Sequence, residues 1–316
     1  MGGSSRNAET ASRRTSSGLD QLVSGAGAAA ERGSYDAQVN ALLQEAVSEY
    51  SDRDVEIIRR HIETLKKALE SDVEGTVDLL FGGSTQKHTY VNGLSDVDLL
   101  ARINDPSLTS LSPQQLLHRF AARIKQRLPN TDVTPGQLAI TVRYSDGHEL
   151  QVLPALSTSG GGVRIPKPSG NGWSNVIRPE AFARKLTEVN RRCANRVVPT
   201  IKLFKAAQES IPENARLSGY HTESLAVQAF EAYDGGTSYK DMLTHLCRSA
   251  AESVKSPVRD RTGQSVHVDD YMGVAGSEER QRASRFLGRI VQRMEDADRQ
   301  RRISNWEDMF GGGRIG

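Results

Sequence analysis

Phe81-Gly-Gly-Ser-Thr-Gln-Lys-His-Thr-Tyr-Val-Asn-Gly-Leu-Ser-Asp-Val-Asp-Leu-Leu-Ala-Arg-Ile103 is the stretch on which the reading of this chain turns. Asp96 and Asp98 are two residues apart, so on a strand they project from the same side, about 7 Å from each other. Val97, Leu99 and Leu100 supply the apolar filling of a buried strand. Phosphoryl transfer needs metal ions that bridge phosphate oxygens, and those ions need hard oxygen ligands on a rigid surface. Upstream, Gly82 and Gly83 let the backbone approach a phosphate closely. A Gly-Gly-Ser run alone is ordinary loop, and an Asp-x-Asp alone is usually a solvated strand edge. Together, at this spacing and with apolar strand residues on both sides, they point to a catalytic metal site.

Outward from this motif, the bulk of the chain sets bounds. Its 316 residues can bury a full core and are expected to form two lobes. No apolar run approaches the ~20 residues that cross a bilayer, and no signal peptide is visible, so no membrane role and a cytoplasmic location are expected. Cys193 and Cys247 lack partners at metal-ligand spacing and read as isolated thiols. The seven histidines show no metal or triad spacing and are assigned no role. A net charge of +2 with 5% aromatics argues against stable nucleic-acid binding, which wants stacking platforms in a basic groove.

Residues 1–34 are Gly, Ser, Ala and Arg without periodicity and read as a disordered leader. Val55, Ile58, Ile62, Leu65 and Leu69 then step by three and four along a long charged helix. Strands are expected at 76–81 and 96–103, and Ser112-Pro113 marks a helix start as N-cap and first residue. A hairpin is expected over 138–153 around Ser145-Asp-Gly147, followed by loop from Gly160 to Trp173. Beyond Pro179 helices are expected at 180–190, 198–210, 222–233, 239–253 and 278–301. The organisation is a disordered leader (1–34), a sheet-bearing core with a long N-terminal helix (35–175), a helical lobe (176–305) and a flexible Gly-rich tail (306–316). Substrate is expected in the cleft between the lobes.

The chain resembles the template-independent nucleotidyltransferases of the polymerase-beta superfamily. It is most similar to the branch of oligoadenylate synthases, cyclic GMP-AMP synthase and the bacterial cyclic-oligonucleotide synthases of anti-phage (CBASS-type) operons. Gly82-Gly-Ser84, Lys87, Gly93, Ser95 and Asp96-x-Asp98 fall at family spacing. His148-Glu-Leu-Gln-Val-Leu-Pro-Ala155 matches the strand that carries the third carboxylate. Ile201-Lys-Leu-Phe-Lys205 resembles the helix whose lysine meets the triphosphate. Leu217-Ser-Gly-Tyr-His-Thr-Glu-Ser-Leu225 and the stretch 257–273 also have counterparts.

The resemblance implies an α+β fold: a polymerase-beta-like core of mixed sheet and helices, a C-terminal helical lobe and an active site between them. It implies an NTP-using synthase of cyclic di- or oligonucleotides with Mg2+, or Mn2+, held by Asp96 and Asp98. Linear ribo- or deoxyribo-oligomers are the alternative product. NTPs or dNTPs would be substrates, with a downstream effector that reads the product and a regulatory protein partner. Gly82, Gly83, Ser84, Ser95, Lys205 or Lys202, and Ser218 would contact the nucleotide. Lys87 is a phosphate contact or a solvated loop lysine, and Tyr220 stacks a base or packs at a helix entrance. Glu223 reads as a capping carboxylate in the first turn, and the run 280–302 as a solvated helix face.

One position departs from the family pattern. Gln151 stands where the third carboxylate is expected, which removes a negative charge and a candidate general base. Three readings follow: Glu149 substitutes from the same strand face; the site works with two aspartates plus Gln151; or the chain is a weakened nucleotide-binding module.

Overall fold

A computed structural model of the chain describes residues 29–50, 55–70, 77–81, 97–104, 106–136, 138–167, 172–174, 176, 178–212, 215–259 and 268–310. The Gly82–Ser84 turn, Lys87, Ser95 and Asp96 lie outside these residues. Asp98 is described as a strand position only.

The sheet is built from β1 (Val77–Phe81), β2 (Val97–Ile103), β3 (Asp132–Pro135), β4 (Ile140–Arg143), β5 (Glu149–Ser157) and β6 (Val163–Arg164), in the order β1-β2-β5-β4-β3, with β6 on β5. β2 and β5 run parallel and the other pairings are antiparallel. The parallel pair needs a long crossover. This crossover contains helix α3 (Pro113–Arg127; α1 and α2 are given below) and the β3–β4 hairpin. Helix α3 starts as the sequence indicates: Ser112 Oγ accepts from the Gln115 N–H, and the Gln115 side chain accepts from the Ser112 N–H. Helix α2 (Val55–Leu69) lays Ile58, Ile62, Leu65 and Leu69 against Leu116, Leu117 and Phe120 of α3 and against Leu99, Ala101 and Ile103 of β2. Among the described residues, the opposite face of the sheet carries only a small cluster of Leu100, Ala155 and Val163, with Leu153 and Ile165 packed against it. Among these residues, the helices therefore cover one face and leave the other for a site.

The second core is helical. Five helices of the C-terminal half, α4 (Pro179–Arg192), α5 (Val197–Ala207), α6 (Gly219–Phe230), α7 (Tyr239–Ser253) and α8 (Glu278–Gln300), agree with the expected segments within a few residues. Two segments do not behave as expected. Helix α1 spans 29–50, so residues 29–34 are helical rather than a disordered leader. Its stripe of Tyr35, Val39, Leu43 and Ala46 joins the helical core, not the sheet core. Residues 303–310 form α9 (Ile303–Phe310) where the tail was expected to begin, because Trp306 and Phe310 are buried one turn apart. Trp306 Nε1 donates to the Tyr35 hydroxyl, which donates to Asp298. The helical core thus draws on both ends of the chain, with the sheet core lying between them in sequence.

Candidate active site

Strand register assembles the sheet side of the site. In the β2–β5 pair Asp98 lies opposite Gln151, and in the β4–β5 pair Gln151 lies opposite Thr141. Leu99 and Val152 are buried beneath the helices, whereas Leu100 belongs to the small cluster on the other face. Strand alternation therefore places positions 98 and 151 on the face the helices leave open. The amide of Gln151 occupies the place on β5 that neighbours the second aspartate of the motif. Glu149 shares this parity but is engaged sideways, with Arg143 Nη2 on β4 donating to its Oε2 at 2.6 Å. Arg143 also lies 3.6 Å from Asp132.

The helical lobe assembles a second group. Ser218 caps α6, its Oγ accepting from the His221 N–H. Lys205 on α5 reaches the same helix end: a side-chain carbon at Gly219 would stand 3.9 Å from its Nζ. An ammonium beside a helix N-terminus adds its charge to the positive end of the helix dipole, which favours an anion there. Lys205 Nζ is 3.3 Å from Glu223 Oε1, and Glu223 is 1% exposed. The expectation that Glu223 is a capping carboxylate is therefore corrected: it lies inside α6 and fixes the lysine. Lys202 is buried on α5, whereas Tyr220 is partly exposed, its ring tilted against Phe182 at 4.9 Å.

Behind Ser218 lies a polar network that the sequence reading passed over. Asp269 and Arg280 are both fully buried and paired at 2.6 Å, so Arg280 is not part of a solvated face. Asp269 also accepts from the Val258 N–H. The Tyr271 hydroxyl accepts from the Ser218 N–H at 3.1 Å and lies 2.9 Å from His221 Nδ1. The consistent assignment has Tyr271 donating to Nδ1 and the His221 Nε2 proton facing Asp269, 3.4 Å away. Burial pushes the His221 pKa down to about 4, so the ring is neutral near pH 7. The stretch 257–273, which contains Val268-Asp-Asp-Tyr271, was the only sequence signal for this network. The histidines also need correction: His61 and His148 gather around Asp146 with their ligand atoms within 4.8 Å of one another.

Residues 34–190 match the Second Messenger Oligonucleotide or Dinucleotide Synthetase domain. A cyclic AMP-AMP-AMP synthase from an Acinetobacter species is 27% identical over 226 residues, covering 68% of this chain and 63% of the relative's length. Among solved structures, Bradyrhizobium diazoefficiens CdnG in complex with GTP superposes with a TM-score of 0.64 at 17% identity, covering 86% of this chain and 95% of that one. Vibrio cholerae DncV cyclic AMP-GMP synthase, bound to a linear intermediate, gives a TM-score of 0.61 at 12% identity over 91% and 89%. The fold is that of these enzymes: a polymerase-beta-like core joined to a helical lobe. Residues 34–190 of the chain are thus a Second Messenger Oligonucleotide or Dinucleotide Synthetase domain.

Proposed function

We propose that this chain is a template-independent nucleotidyltransferase that uses NTPs to make a cyclic di- or oligonucleotide second messenger in bacterial anti-phage defence. The observation that carries the proposal is the β2–β5 register, which sets Asp98 beside Gln151 on the uncovered face of a sheet of this family.

Asp96, Asp98 and the Gln151 amide oxygen form an all-oxygen donor set suited to Mg2+ or Mn2+. Such ions, when bound, would neutralise charge on the phosphates. The chain's own residues do the rest. Gly82, Gly83 and Ser84 receive the triphosphate with backbone N–H groups and a hydroxyl, and Lys87, Ser95 and Lys202 are further contacts. Lys205 supplies a point charge at the N-terminus of α6. Ser218 contacts phosphate and Tyr220 stacks a base. Gln151 cannot take a proton, so the proton of the attacking hydroxyl leaves to solvent or to a substrate phosphate oxygen. A downstream effector would read the product, and a regulatory protein would govern its synthesis.

The test is to incubate the purified chain with each NTP and dNTP plus Mg2+ or Mn2+, then follow pyrophosphate and new species by mass spectrometry. Cyclic products that fall by ~10^2- to 10^4-fold in Asp98→Ala are expected. Turnover retained in that variant would overturn the assignment, and linear products would shift it to an oligomer synthase. Gln151 favours one second reading, a weakened nucleotide-binding module, which would bind NTP without releasing pyrophosphate.

A further inference from the structure

We propose that His61, Asp146 and His148 form a binding site for a zinc-class divalent cation, separate from the nucleotide site. The three residues come from two elements. His61 lies on α2, while Asp146 and His148 belong to the β4–β5 turn. That turn is closed by the Tyr144 N–H donating to the His148 carbonyl and by Gly147 at φ +89. Its position on α2 alone does not aim His61 at the turn; packing does. The Tyr144 ring stacks on the imidazole at 3.7 Å, and the Tyr144 hydroxyl donates to the His61 carbonyl.

So held, His61 Nε2 lies 2.7 Å from Asp146 Oδ2. The other carboxylate oxygen accepts from the His148 backbone N–H, which fixes the carboxylate plane. His148 Nδ1 stands 3.2 Å from that same oxygen, out of hydrogen-bonding alignment, and this buried nitrogen makes no hydrogen bond. A hydrogen-bonded His–Asp pair at a turn accounts for His61 and Asp146 alone. It does not account for a second imidazole nitrogen turned to the same carboxylate yet out of hydrogen-bonding alignment. A cation accepting all three would satisfy it.

The donor set decides the metal. Two imidazole nitrogens and one carboxylate suit zinc and its neighbours far better than Mg2+, which prefers oxygen. Ligand atoms on a tetrahedral zinc lie about 3.4 Å apart, given metal–ligand distances of about 2.1 Å. The distances of 2.7 and 3.2 Å, within an overall spread of 4.8 Å, need only small side-chain adjustments to reach this. Asp146 and His148 are both partly exposed, so water can complete the coordination. Tyr144 and His148 face each other across the hairpin, and Tyr144 is buried in the core under α2. The site therefore lies on the helix-covered face, opposite the face of Asp98 and Gln151.

The full chain, stripped with chelator and kept in excess Mg2+, is titrated with Zn2+ calorimetrically and with Co2+ by its d–d absorption. Expected are one Zn2+ per chain, a tetrahedral Co2+ spectrum, and a melting temperature raised by a few degrees at a hundredfold excess over Kd. His61→Gln, Asp146→Asn and His148→Gln should each weaken binding by at least ~10-fold. Asp98→Asn should leave the isotherm unchanged. His148→Gln, on the exposed turn, decides the matter if His61→Gln fails to fold. No Zn2+ uptake, or uptake unaltered in His148→Gln or lost in Asp98→Asn, would overturn the site.

Discussion

Gln151 shows how much one side chain can decide. Its register beside Asp98 puts an amide where a third carboxylate would add charge to the metal site. Gln151→Asp should therefore lower the Mg2+ concentration for half-maximal pyrophosphate release several-fold; a higher requirement would show a site built around the amide. His221 makes a second residue-scale prediction. Its folded pKa of about 4 lies below the ordinary 6.5, so the unfolded chain binds the extra proton between these values. The histidine's contribution is complete above pH 6.5 and lost as pH falls towards 4, by roughly 3 kcal/mol. Urea midpoints measured across that window should fall less steeply in His221→Gln than in the parent. Both residues were readable as positions, but not the partners that give them their roles. Gln151 could be aligned with a motif, whereas nothing near His221 announces a buried Asp269–Arg280 pair.

At the scale of elements, the start of α6 couples substrate grip to stability. Lys205 and Glu223 meet inside the lobe, so Lys205→Ala should raise KM for NTP and also destabilise the fold, by about 2–4 kcal/mol. Adding Glu223→Gln should recover much of the stability but not the KM. Parallel losses and recoveries of both quantities would show the lysine to be structural alone. Helices were legible because they carry long apolar periods and caps, as Ser112 and Gln115 do at α3. β3, with the sequence Asp-Val-Thr-Pro, was not legible: four residues with one buried side chain hold no alternation to read. β6 has two residues, and only its pairing with β5 makes it a strand. His61 and His148 escaped for a related reason, since only the β4–β5 turn packing beneath α2 brings them together.

Across the whole molecule, the two tryptophans report on different cores. Trp173 packs against the sheet core and donates to the Leu111 carbonyl, whereas Trp306 is fully buried in the helical core. Single-tryptophan variants made with Trp173→Phe and Trp306→Phe should give non-coincident fluorescence transitions in urea, the sheet core melting first because it is the smaller. Coincident curves would mean that the lobes unfold as one unit. The placement of α1 has a consequence for biosynthesis. The ribosome releases Tyr35, Val39 and Leu43 well before Trp306 and Phe310, which share their core; Trp306 follows Tyr35 by 271 residues. The sheet can close in the meantime, but α1 must wait with its apolar stripe bare until α8 and α9 arrive. That interval is when a chaperone would find this protein.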